Sequence, residues 1–101
     1  MRRIDPVIHE PARLLVMSLL SGRERADFYQ MMALAEMTAG NLSSHVSRLE
    51  AAGYVAVLKS FHGKAPHTEY RITGEGREAL LAYWRAMDEI RILCRPGSPE
   101  P

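Results

Sequence analysis

The chain has 101 residues, the length of one domain, with 47% apolar and 25% charged residues, 7 Gly and 6 Pro, which excludes whole-chain disorder, a collagen-like repeat and a low-complexity polymer. A single cysteine, Cys94, excludes an internal disulfide framework and a zinc knuckle of several thiolates, and a net charge of +1 excludes capture of polyanions by bulk charge. No apolar run approaches the ~20 residues of a membrane span, and Asp5, Pro6, His9 and Glu10 close behind Arg2 and Arg3 do not resemble a signal core, so a cytoplasmic setting without a membrane is expected.

Pro11 behind Glu10 marks a helix start, because the first turn has no use for the N–H that proline lacks. Ala12, Leu15, Val16, Leu19 and Leu20 then recur at the helical period, and Gly22 is suited to end the helix in the left-handed region, giving residues 11–21. Asp5-Pro6 ahead of Val7-Ile8 reads as one extra turn. Asp27 with Gln30 forms a capping box for a short helix over 27–35, apolar through Phe28, Met31, Met32, Leu34 and Ala35. Thr38 caps a third helix, 38–52, in which Leu42, Val46 and Leu49 repeat, and Gly53 closes it. Only Ala35-Glu36-Met37 separates the two helices, the arrangement of a helix-turn-helix.

After Gly53 the period changes to two. Residues 54–61 and 68–73 read as strands, with Thr68, Tyr70 and Ile72 on one face and Glu69 and Arg71 on the other. His62-Gly63-Lys64-Ala65-Pro66-His67 is turn chemistry, so the pair forms a hairpin with a basic tip. Thr73 caps a fourth helix, 74–93, with Glu75 in its first turn. Along it Leu80, Tyr83, Met87, Ile90 and Cys94 stand at heptad spacing. The proline-rich stretch 95–101 is expected to be a flexible tail, leaving 1–94 as the domain. The fold class is therefore mainly α with a small β-hairpin, a winged helix-turn-helix with a C-terminal dimerisation helix.

Asn41-Leu-Ser-Ser-His-Val-Ser-Arg-Leu-Glu-Ala-Ala-Gly-Tyr-Val55 resembles the recognition helix and its exit in MarR- and ArsR-type bacterial regulators. Tyr70-Arg-Ile-Thr-Gly-Glu-Gly-Arg77 is similar to the strand-to-helix junction shared by those regulators and the PadR type. The segment from Asp5 to Leu14 resembles a subset of small, single-domain members, and the likeness spans residues 4–90. Two positions depart from the pattern. Glu36 stands where the turn often carries glycine, and the wing has Gly63-Lys64 and His67 where relatives carry more arginine.

The resemblance implies double-stranded DNA as partner. Gly40, Ser43, Ser44, Ser47 and Arg48 fall opposite the apolar arc of the third helix, a small and polar surface that can enter a major groove. Thr38 and Asn41 flank its start; a merely solvated face is the alternative. Lys59, Lys64 and Arg71 on the hairpin, which spans 59–69 as a wing, are expected to touch backbone or minor groove. Alternatively the lysines protect a sheet edge, and Arg71 pairs with Glu69 or Glu50. His45 lies on the core side and reads as a packing residue, not as the catalytic partner of Ser44.

His62 and His67 lack further metal ligands in the sequence, so no metal is expected, and no cofactor. Leu80, Tyr83, Trp84, Met87 and Ile90 exceed what one protomer can bury, which points to a homodimer. The expected function is a DNA-binding transcriptional regulator, a repressor on an inverted repeat. The other possibility is a winged-helix protein-interaction module that does not bind DNA. No chain remains for an active-site domain. A small-molecule effector is left open, with Tyr83 and Trp84 the first place to look.

Overall fold

The computed structural model describes residues 3–97. Its elements follow in the order α1 (Pro11–Ser21), β1 (Ala26–Asp27), α2 (Phe28–Ala35), α3 (Ala39–Ala51), β2 (Val55–His62), β3 (Ala65–Ile72) and α4 (Gly74–Leu93). Each helix begins on a side chain that satisfies otherwise orphaned N–H groups. Glu10 accepts from Arg13 N, Thr38 from Asn41 N and Thr73 from Gly76 N, while Asp27 and Gln30 cap each other reciprocally.

The apolar sides of these helices close over one core, although Leu15 and Leu34, expected on those sides, are exposed and Met17 is buried in their stead. Ile8, Met17, Leu20, Met31, Leu42 and Leu49 are fully buried, and Val55, Tyr70 and Ile72 cover them from the sheet. The N-terminal turn is fastened beneath α3. Asp5 accepts from the N–H groups of Val7 and Ile8 with one carboxylate oxygen and from the Tyr54 hydroxyl with the other, and Arg13 Nε donates to Val7 O.

The Thr73-Gly-Glu-Gly76 junction has a steric reason. Thr73 donates its hydroxyl to Gly53 O at 2.7 Å while capping α4, so one side chain ties the exit of α3 to the start of α4. A Cβ at position 76 would stand 2.2 Å from Tyr54 O, a backbone atom that cannot step aside. Only glycine fits there.

Three local expectations are corrected, and the turn at Glu36 is settled. The sheet has three strands in the order β1-β3-β2, because Ala26 and Asp27 pair with Tyr70 and Glu69. Gly22 ends α1 with φ −89°, outside the left-handed region. Glu36 itself takes the left-handed conformation, φ 54° and ψ 48°, that glycine holds more cheaply. The hairpin strands run further than the alternation suggested. They reach His62 and Ala65, leaving a two-residue turn of Gly63 and Lys64. Gly63 has φ +65° and Lys64 is not in that region, the pattern of a II′ turn matched to strand twist. Pro66 is accommodated because β3 has no neighbour on its other side there, β1 reaching only Glu69 and Tyr70.

The fourth helix leaves the body of the domain. Leu80 and Tyr83 are buried, and the Tyr83 hydroxyl hydrogen-bonds His9 Nδ1 at 3.0 Å. From Asp88 onward every described residue is exposed. The radius of gyration, 16.9 Å, exceeds the ~13 Å of a compact chain of this length, as a projecting helix requires. Residues 95–97 of the expected tail carry no secondary structure, and 98–101 lie outside the described residues, as does Arg2.

Candidate nucleic-acid interface

Helix α3 buries Leu42, Val46 and Leu49 and turns Gly40, Asn41, Ser43, Ser44, Ser47 and Arg48 outward, all exposed. None of the side chains of Asn41, Ser43, Ser44, Ser47 or Arg48 has a hydrogen bond or ion pair within the described residues. A Cβ added at Gly40 would meet nothing within 4 Å. The face is thus a row of donors and acceptors on a helix slim enough to approach another surface. Thr38 is exposed at its N-terminus, where the cap leaves the hydroxyl proton free to donate.

The face has two flanks. Ser43, Ser47 and Glu50 look across a groove of about 500 Å3 to Lys59 and Thr68 on the hairpin. Arg48 lies on the other flank, over a shallow recess lined by Pro6, Val7 and Arg13. Glu50 was missing from the expected surface. Its angular position, next to Ser43 and Ser47, is the signal in the sequence that would have found it. A carboxylate there can accept from a cytosine amino group and repels phosphate, so it favours base contact over backbone contact on this flank.

Register sorts the hairpin cations. Val55, Val57, Lys59 and Phe61 face Ile72, Tyr70, Thr68 and Pro66 on the side of α3. Ala56, Leu58, Ser60 and His62 oppose Arg71, Glu69, His67 and Ala65 on the other side. Lys59 is therefore brought together with the α3 surface, Lys64 sits at the tip, and Arg71 is carried to the reverse face. The alternative, a pairing of Arg71 with Glu69 or Glu50, does not form either. Glu69 instead stands 3.8 Å from Arg25 and 3.7 Å from His67. From residue 59 to 68 the wing holds Lys59, His62, Lys64 and His67 and no carboxylate. The rings of His62 and His67 stack at 3.9 Å on the reverse face.

His45 packs between α3 and α1. Its Nδ1 lies 3.4 Å from Arg13 Nη1 and 3.6 Å from Glu10 Oε2. Burial works against ionisation of the Glu10 carboxyl, but the N–H groups of Arg13 and Ala12 and the charges of His45 and Arg13 hold it below its usual value. An acid thus does stand beside His45, from a distant part of the chain, but it is already committed as the cap of α1. Ser44 points outward and is not joined to the pair. Among the described residues no group of three or more His, Cys, Asp or Glu could hold a metal ion, and no helix is long and apolar enough to cross a membrane.

On α4, Leu80 and Tyr83 spend their side chains inside the protomer, Met87 is half-buried, and Trp84 and Ile90 are exposed. Leu81, Ile92 and Leu93 are exposed as well. The outward apolar surface is therefore shifted around the helix from the heptad positions.

Comparison with known proteins agrees with this layout. A family model described as a winged helix DNA-binding domain matches residues 12–91. An uncharacterised protein of Methanocaldococcus jannaschii is 31% identical over 77 residues, covering 76% of this chain and 84% of that protein. The structure of a transcriptional regulator homologue from Pyrococcus horikoshii OT3 superposes with a TM-score of 0.79 at 30% identity, over 85% of each chain. The transcriptional repressor CouR, solved on a 23-mer DNA duplex, shares the fold at a TM-score of 0.71 and 21% identity, over 86% of this chain and 63% of its own.

Proposed function

The chain belongs to the winged helix DNA-binding domain family, among folds that include MarR- and ArsR-type transcriptional regulators, and from that premise we propose that it is a repressor acting as a homodimer on an inverted-repeat operator. The observation that carries the proposal is the outward face of α3: an arginine, an asparagine and three serines whose side chains have no partner among the described residues. In the major groove Arg48 can pair with both guanine acceptors and Asn41 with adenine, while Ser43, Ser44 and Ser47 adapt to base edges or phosphates. Thr38 donates to phosphate at the helix start, where the N-terminal dipole favours an anion. Lys59 and Lys64 add backbone affinity from the hairpin, and the N-terminal arginines add charge to the same end. Arg71, on the reverse face, contributes to the field and not to a groove contact.

Dimerisation is supported by the projecting α4. A second copy would cover Leu81, Trp84, Met87, Ile90, Ile92 and Leu93, apolar groups that one protomer leaves in water or half-covered. A two-fold axis would then set two α3 helices into major grooves one turn apart, about 34 Å. Occupying a promoter in this way blocks its use, which is the route to repression.

A mobility-shift titration of duplex DNA from low to high salt tests the proposal. Binding is expected at low salt, with log K falling at a slope of about −3 to −4 per copy, as a few phosphate contacts dictate. No shift at micromolar protein would favour a winged helix that binds proteins, in keeping with the net charge of +1.

A further inference from the structure

Phe61 has no place in the core or in a base-reading role, yet it is 71% exposed. It stands two positions before the Gly63-Lys64 turn, on the same sheet face as Lys59 and Thr68, and therefore on the side of α3. Its cross-strand partner is Pro66, which is also exposed, so the hairpin end presents a rigid apolar ridge. Lys59 and Lys64 flank that ridge, and no acid occurs from residue 59 to 68.

An apolar group set among cations on an otherwise polar tip fits a surface that is anionic outside and apolar within. The minor groove of DNA has this make-up, with phosphates at its rims and sugars and base steps at its floor. Reach agrees. From the last pair packed on the core, Val57 and Tyr70, four residues lead to Phe61, about 13 Å of strand, and the aromatic side chain adds to that reach. The minor groove beside an occupied major groove lies half a helical turn away, about 17 Å.

We propose that Phe61 is a minor-groove wedge, inserted by the wing against sugars and a base step so that the bound duplex bends. The proposal rests on the DNA-binding function above and adds a mechanical role to it. The bend would favour pyrimidine–purine steps, which unstack most easily, at positions that α3 does not touch. A second copy, or a protein partner, covering Phe61 is the rival occupant that the test must separate.

The test uses the full chain and circularly permuted fragments carrying a site that this protein selects from a random duplex pool. Wild-type protein is expected to give position-dependent mobility, the signature of a bend. Phe61→Ala, at an exposed position, is expected to bind about tenfold to a hundredfold more weakly, with the bend lost and the salt slope unchanged. Phe61→Leu, still apolar, retains most of the bend. Lys59→Ala is expected to lower the salt slope by about one while keeping the bend.

A wild-type shift without a bend, an unchanged bend in Phe61→Ala, or a change in its oligomeric state would each overturn the wedge alone. Failure of wild-type protein to shift any duplex would overturn the DNA-binding function and the wedge with it.

Discussion

On the proposed reading, Arg48 carries choice between sequences more than general affinity. Among the described residues it has no partner, so no contact there must be broken before its planar fork meets a guanine. Arg48→Ala is expected to cost about 1–3 kcal/mol on the selected site and little on random DNA at the same salt, measured by competition titration. Equal losses on both would make Arg48 a phosphate contact. Tyr54 sets a different residue-scale expectation. Its hydrogen bond to Asp5, its burial and the negative charges of Asp5 and Glu75 raise its pKa from 10.0 to about 12. The phenol is neutral in both states at low pH, so this stabilisation is fully present below pH 10.0 and is lost as pH climbs through about 12. Tyr70, raised by burial, acts in the same direction. Urea denaturation of Tyr54→Phe against pH should therefore show a shallower alkaline decline than wild type, and superimposable declines would remove Tyr54 from the account.

At the scale of elements, the turn between α2 and α3 fixes the angle at which the exposed face is offered. Glu36 holds it in a conformation that costs an L-residue about 1–2 kcal/mol, partly offset because glycine loses more entropy on folding. Glu36→Gly is accordingly expected to stabilise the protein by about 0.5–1 kcal/mol in chemical denaturation; a loss of stability would mean that the Glu36 side chain contributes something the backbone argument omits. The elements readable in the sequence were those set by short-range physics. Asp27 with Gln30, Thr38 and Thr73 act on groups three residues away, and the apolar stripes of α1 and α3 repeat within one turn. What escaped depends on distant partners. Strand β1 exists only because Tyr70 and Glu69 lie beside Ala26 and Asp27, and Glu10 reaches His45 only once α1 packs on α3. The full length of the wing escaped for a related reason: beyond Val57 its residues have no core to pack on, so alternation fades while pairing continues to His62. On α4 the heptad positions were plain, but which of them the protomer itself would bury was not, since His9 and the N-terminal turn decide the fate of Tyr83.

The whole molecule is a small reading head on a long lever. Its core ends near Tyr83, and the remaining turns of α4 expose Trp84, Ile90, Ile92 and Leu93. Trp84→Glu, at a position 47% exposed, should leave the protomer folded and shift sedimentation-velocity or light-scattering mass from dimer towards monomer. An unchanged dimer mass would move the two-fold contact elsewhere. DNA affinity should fall in the same variant, because two half-sites are no longer held together. The most direct trial of the central claim is selection of duplexes from a random-sequence pool by the purified protein, sequenced beside Ser44→Glu. Wild-type protein is expected to enrich an inverted repeat with half-site centres about 10 base pairs, or an integral number of turns, apart, and the acid placed on the outward face of α3 to abolish that enrichment. Enrichment that survives Ser44→Glu unaltered, or a pool that stays random with the wild type at every salt concentration, would contradict it.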